Sequence, residues 1–207
     1  MKVVDIPVIF ICPDHNEKYT ARKYHMFQLL QQIGFKNIQH HKSGNEAYPT
    51  CLAKATIDIM NQNLNDEPFI LLEDDVEPFI ELNSETDFEM PEDTDAFYLG
   101  FSRSAGHPNL NSHQGFCSVQ PKSEKHIRIL NMLTAHAILY KSRKYKEKVI
   151  EIMQEIIGKT GYYNDVAISR IQSNYNIYGY KYPLFYQSVK WGNVQHTEEF
   201  TRFKFNY

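Results

Sequence analysis

Sulfur is scarce in this chain. Its 207 residues include three cysteines, Cys12, Cys51 and Cys117, an odd number with no Cys-x-x-Cys spacing. That argues against a disulfide framework or a thiolate zinc site and leads us to expect a reducing, cytoplasmic setting. Long apolar runs are also missing. The longest, Ile6 to Cys12, is strand-sized and interrupted by Pro7, well short of the roughly 20 residues that span a bilayer. Met1-Lys2-Val3-Val4-Asp5 has neither the apolar stretch nor the small-residue cleavage site of a secretory signal. Basic charge is not in excess: Lys+Arg 22 against Asp+Glu 25 gives a net charge of −3. No broad cationic face is available for phosphate backbones, so a nucleic-acid partner is not expected. A Gly-x-x-x-x-Gly-Lys-Ser/Thr loop is lacking too, which disfavours a P-loop enzyme. With no internal repeat, low-complexity tract or composition shift, residues 1–207 read as a single domain with a C-terminal tail from Ser188.

What is present is material for a core, 42% hydrophobic and 14% aromatic residues, arranged as alternating strands and helices. Val3–Cys12 reads as a buried strand ending at Pro13. Tyr19, Met26, Phe27, Leu30 and Ile33 keep helical spacing, with Thr20 near the cap and Gly34 as the stop. Phe35–His41 reads as a second strand. Pro49 opens a helix whose face carries Leu52, Ala55, Ile59 and Met60. Phe69–Leu72, Ala96–Phe101, Thr134–Tyr140 and Tyr182–Gln187 are further strands. Lys144–Ile157 is a helix stopped by Gly158, and Asn164 or Asp165 caps another running to about Ser173. Ser102–Gly115, dense in Ser, Asn, His, Gly and Pro, reads as a long loop. The order predicts an α/β fold with a mostly parallel central sheet flanked by helices. The dense tyrosines between Tyr162 and Tyr186 read mainly as core or sheet packing.

Phe69-Ile70-Leu71-Leu72 stops abruptly at Glu73-Asp74-Asp75, with Glu77 two residues on. Adjacent carboxylates repel unless they are solvated or neutralised, so the run is either a solvated acidic loop or a site for a divalent cation such as Mg²⁺ or Mn²⁺. Its place at the end of an apolar strand puts it over the crevice where open α/β sheets bind ligands.

Ile70-Leu71-Leu72-Glu73-Asp74-Asp75-Val76 resembles the strand and acidic motif of GT-A (Rossmann-like) glycosyltransferases, in particular the lipopolysaccharide and collagen sugar-transferase group. Pro49-Thr50-Cys51-Leu52-Ala53-Lys54 is similar to that group's Gly-Cys-x-x-Ser-His segment, without its Ser and His. Thr134–Ser142 resembles its small-His-Ala strand, Asn164-Asp165 its later acidic position, and Pro183–Gln187 its Pro-x-x-x-Gln strand. The matches run in order from about Pro49 to Gln187. The short chain is also similar to the compact glycosyltransferase domains with which large DNA viruses of algae decorate their capsid proteins.

The resemblance implies transfer of a sugar from a UDP-sugar to a glycan or glycoprotein, assisted by Mn²⁺ or Mg²⁺. It implies that Asp75 binds the metal, that Glu73 or Asp74 orients the ribose or the metal's waters, and that Asp165 faces the donor sugar or acts as general base. His196 is the candidate second metal ligand, on a tail (188–207) that closes over the nucleotide. Arg22 is placed to meet the diphosphate or the base; Pro13 and His15, in the loop after the first strand, flank the nucleobase; Trp191 is a candidate for stacking on a sugar. Two other readings stay open: a metal-dependent phosphoryl-transfer or hydrolytic enzyme, and a non-catalytic carbohydrate-binding module.

Overall fold

The computed structural model describes residues 1–107, 113–191 and 198–207. Chain order begins with a 3-10 turn, Val3–Asp5, then strand β1, Val8–Ile11. The expected single strand Val3–Cys12 is therefore shorter: Pro7 has no N–H to donate, and β1 is a central strand that needs every donor. Helix α1, Glu17–Ile33, starts earlier than its apolar spacing suggests. Its cap is Asn16, not Thr20: the Asn16 side chain accepts the Tyr19 N–H at 3.1 Å, while Thr20 donates back to the Asn16 carbonyl. Gly34 ends the helix in the left-handed region at φ 101, as expected.

Strand β2, Ile38–His41, helix α2, Thr50–Gln62, and strand β3, Phe69–Glu73, follow, and Glu73 belongs to the strand itself. Next come β4, Val76–Pro78; β5, Ala96–Tyr98; β6, Ser104–Gly106; β7, His113–Phe116; β8, Val119–Pro121; β9, His126–Ile129; and β10, Ala137–Tyr140. The expected loop Ser102–Gly115 thus contains most of a hairpin, with β6 pairing antiparallel to β7. Helix α3, Arg143–Ile156, and α4, Asn164–Ser169, precede β11, Ile177–Tyr180, β12, Phe185–Gln187, and α5, Glu198–Thr201. Helix α4 stops short of the expected Ser173, giving way to a 3-10 turn at Gln172–Asn174. Strand β11 runs through Gly179, where a Cβ would sit 2.9 Å from the Phe101 ring and 3.1 Å from the Tyr98 carbonyl oxygen, so glycine leaves room for the buried ring against the strand.

The main sheet has the order β2-β1-β3-β10-β5-β11-β9-β8. Strands β2, β1, β3, β5, β11 and β8 run one way, and β10 and β9 run the other. The expectation of a mostly parallel α/β sheet flanked by helices holds. Residues alternate between faces: Ile9, Ile11 and Leu71 pack with Ile59, Met60, Val149 and Met153 of α2 and α3, whereas Val8, Phe10, Ile70 and Leu72 pack with Met26, Leu30 and Ile33 of α1. Because both faces are buried, β1 and β3 read as unbroken apolar runs. Strand β12 lies outside this sheet. It pairs antiparallel with β4, setting Gln187 opposite Val76 and beside the acidic turn.

At the end of the sheet where β3 and β5 begin, the buried charges of Lys146 and Asp95 are paired. Lys146 of α3, wholly buried, donates to the carbonyls of Asn63, Asn65 and Glu67 at 3.0, 2.8 and 2.7 Å. Asp95 accepts from Ser142 Oγ at 2.6 Å and the Asn176 N–H at 2.9 Å, and pairs with Lys144 at 3.0 Å.

Candidate active site

At the other end of β3 the chain passes from Glu73 through the turn Asp74-Asp75 into β4. The three acids take different surroundings. Asp74 turns inward, where Arg22 Nη1 reaches Oδ1 at 2.8 Å and Cys12 Sγ donates to Oδ2 at 3.1 Å. Arg22 and Asp74 are both buried, so this pair fixes α1 to the turn and its charges cancel locally. Cys12, walled in beside a carboxylate, holds its proton more tightly than an ordinary thiol.

Glu73 and Asp75 have no such cation. Gln187 Nε2 donates to Glu73 Oε2 at 3.0 Å and lies 3.4 and 3.5 Å from the two Asp75 oxygens. The Ser188 N–H anchors the Asp75 carbonyl at 2.8 Å. Desolvation, then the charges of Asp75, Asp165 and Asp74, push the Glu73 carboxyl well above its usual range. Burial and Asp74 push Asp75 up to about 6, against the opposing pull of Arg22 and Gln187. Glu77 is a structural tie: its Oε1 accepts Trp191 Nε1–H at 2.8 Å and lies 2.9 Å from His25 Nε2. The Trp191 ring sits on His25, with centroids 4.4 Å apart, so in this structure the indole packs on protein rather than facing a sugar site.

Two hollows meet over this turn. The larger, about 560 Å³, is lined by Pro13, Lys18, Tyr19, Arg22, Ser43 and Asp75 among others. The smaller, about 150 Å³, is lined by Ser102, Thr134, Asn164 and Asp165. Tyr48, Leu52, Glu73 and Gln187 border both. The larger hollow carries Lys18 and the Asp74-paired Arg22 together with Glu73 and Asp75, whereas among the described residues no lysine or arginine lines the smaller. Both contain buried atoms without partners: Arg22 Nε and Ser43 Oγ in the larger, Asn164 Oδ1 in the smaller. Thr134 has φ 127, a conformation that β-branched residues avoid, and its Oγ1 is tied to Nδ1 of the wholly buried His136.

The residues singled out from sequence distribute as follows. Pro13, Arg22, Glu73, Asp74 and Asp75 all border the larger hollow. His15 is exposed and absent from that lining, its ring 4.9 Å from Tyr19. Asp165 borders the smaller hollow, but neither it nor Asn164 is a cap: α4 begins at Asn164 after Tyr163, and Asp165 Oδ1 accepts the Val166 N–H at 2.8 Å. His196 lies outside the described residues. Lys18, Ser43 and Tyr48 carried no sequence signal. Gln187 is legible only as part of a matched segment and Asn164 only there and as a candidate cap, because their contribution depends on long-range placement.

The donors suit a hard divalent cation: the carboxylates of Glu73 and Asp75, whose negative charge Arg22 and the Gln187 amide offset only in part. Among the described residues, no group of three His, Cys, Asp or Glu side chains converges to hold a metal. Glu73 and Asp75 alone supply two of the oxygen donors that such a cation needs.

No family model and no curated protein matches the chain. Among solved structures it is similar to a glycosyltransferase involved in glycosylation of the major capsid of PBCV-1, at 13% identity and TM-score 0.43, over 76% of this chain and 71% of that one. It is also similar to A197 from STIV, at 11% identity and TM-score 0.44 over 98% and 96% of the two chains. A third is UTP-bound UGPase from Acinetobacter baumannii, at 14% identity and TM-score 0.37 over 84% and 69%.

Proposed function

We propose that this protein is a glycosyltransferase that moves a sugar from a UDP-sugar to a hydroxyl of a glycan or glycoprotein, within one domain spanning residues 1–207. The observation that carries the reading is the contrast between the paired hollows: on one side of Glu73 a wall where Lys18 and the unpaired Nε of Arg22 stand beside Asp75, and on the other a smaller chamber with Asp165 and no basic residue among those described. A nucleoside diphosphate sugar has matching polarity, an anionic diphosphate joined to a neutral ring. Binding it would give partners to Arg22 Nε and Ser43 Oγ, which are costly to leave buried and unpaired. A carbohydrate-binding module has no use for a buried guanidinium with a free Nε–H beside an acidic turn.

In this reading Pro13 and Tyr19 flank the base, Lys18 and Arg22 face the phosphates, and Asp75 would hold Mn²⁺ or Mg²⁺, which would supply positive charge against the departing diphosphate. Gln187 fixes Glu73 and Asp75 relative to each other, so the ligand meets acids already in place. Asp165 takes the proton from the acceptor hydroxyl as its oxygen bonds to the sugar's anomeric carbon. The bond to the diphosphate breaks with its electron pair leaving on UDP.

The test is thermal unfolding with UDP, with and without Mn²⁺. A ligand that binds only the folded state raises the melting temperature by mass action. We expect UDP to raise it and Mn²⁺ to enlarge the rise; an unchanged melting temperature at millimolar UDP and Mn²⁺ would reject the reading.

A further inference from the structure

Asn164 opens α4 at the wall of the 150 Å³ hollow; it is 3% exposed, and its Oδ1 has no hydrogen-bond partner among the described residues. An acceptor buried unpaired is destabilising unless something else completes it. The same wall holds the strained Thr134 at φ 127. An orphaned acceptor and a strained backbone in one small chamber mark a surface shaped for a ligand rather than for the fold.

The chemistry of the lining narrows that ligand. Around Asn164 stand the carboxyl groups of Glu73 and Asp165 and the hydroxyl-bearing Ser102 and Thr134, with no lysine or arginine. Such walls favour a neutral molecule rich in hydroxyl donors and disfavour one carrying its own carboxylate. We infer that Asn164 accepts a hydrogen bond from a hydroxyl of the sugar being transferred, and that this chamber selects neutral sugars over acidic ones. The inference rests on the proposed use of a UDP-sugar donor and names the residue that reads its sugar.

The experiment is titration calorimetry in the presence of Mn²⁺ with UDP, UDP-glucose, UDP-galactose and UDP-glucuronic acid. For the unaltered protein we expect at least one neutral UDP-sugar to bind about tenfold more tightly than UDP, and UDP-glucuronic acid to bind no more tightly than UDP. Asn164→Leu, close in size and without the acceptor, should bind UDP as before and lose the tenfold gain. Asn164→Asp, which keeps an acceptor, should retain it. The inference falls if neither neutral sugar improves on UDP, if UDP-glucuronic acid binds as tightly as the neutral sugars, or if Asn164→Leu keeps the gain. The first two outcomes are read on the unaltered chain and do not depend on any variant folding. Failure to bind UDP at all is a different result, and it would overturn the glycosyltransferase reading itself.

Discussion

The two ends of the central sheet handle buried polarity in opposite ways. Where β3 and β5 begin, Lys146 places its ammonium against three backbone carbonyls, and Asp95 is met by a hydroxyl, an amide and an ammonium. Where β3 ends, Glu73 and Asp75 share one amide, while Arg22 Nε, Ser43 Oγ and Asn164 Oδ1 have no partner. Both ends exclude water from charged groups, but the first pairs Lys146 and Asp95 within the protein, whereas at the second only Arg22 and Asp74 are matched by charge and Glu73 and Asp75 are not. Paired burial holds elements together, and unpaired burial at the carboxyl end of the strands leaves capacity for a ligand.

If that division is right, substitutions at the two ends should separate function from stability. The largest effect is expected from Asp75→Asn, which keeps the shape and removes the charge that would hold the cation. Transfer should fall about a thousandfold, about 4 kcal/mol of transition-state stabilisation, with an undiminished melting temperature. Wild-type turnover with Mn²⁺ in that variant would break the comparison.

Next is the response to acid of His136, which burial holds at a pKa of about 4 in the folded protein, against about 6.5 when exposed. Its folded value is depressed, so the unfolded chain takes up the proton first. Stability contributed by the neutral ring is complete above pH 6.5 and declines as pH falls towards 4, by up to about 3 kcal/mol. Urea unfolding at pH 7, 5.5 and 4.5 measures this, and His136→Gln should show a correspondingly flatter decline. Parallel curves for the two proteins would remove His136 as the cause.

Asp165→Asn should slow transfer about a hundredfold, about 2.7 kcal/mol, and leave UDP affinity unchanged; unaltered kinetics would restrict Asp165 to its local bond with Val166. The smallest effect is assigned to the opposite end. Lys146→Met strands three carbonyls and should lower stability by about 2 kcal/mol, read by chemical denaturation, without changing the affinity for UDP. A weakened affinity there would show that the two ends are not independent.

What the sequence makes legible follows from how locally each feature is determined. A strand buried on both faces announces itself as Phe69-Ile70-Leu71-Leu72, and the acids that end it stand in plain order. Their division of labour does not. Asp74 and Asp75 are adjacent in the chain and both border the larger hollow, yet one is spent on Arg22 and Cys12 while the other shares the Gln187 amide with Glu73. Gln187 reaches the acids only through the pairing of β12 with β4, across more than a hundred residues. Strands β8, β9 and β11 span three or four residues each, too few for alternation to stand out. The cap of α1 was misplaced because Thr20 and Asn16 both have capping chemistry, and only the extended backbone at Asn16, φ −152 and ψ 170, decides between them.

The tie between Trp191, Glu77 and His25 gives the molecule an optical label of its own. The chain has a single tryptophan, so all indole emission comes from one ring, resting on His25 with its N–H held by a carboxylate two residues beyond Asp75. Any movement of the acidic turn on ligand binding changes the polarity around that ring. Its emission therefore reports on the turn without an attached dye or an added residue.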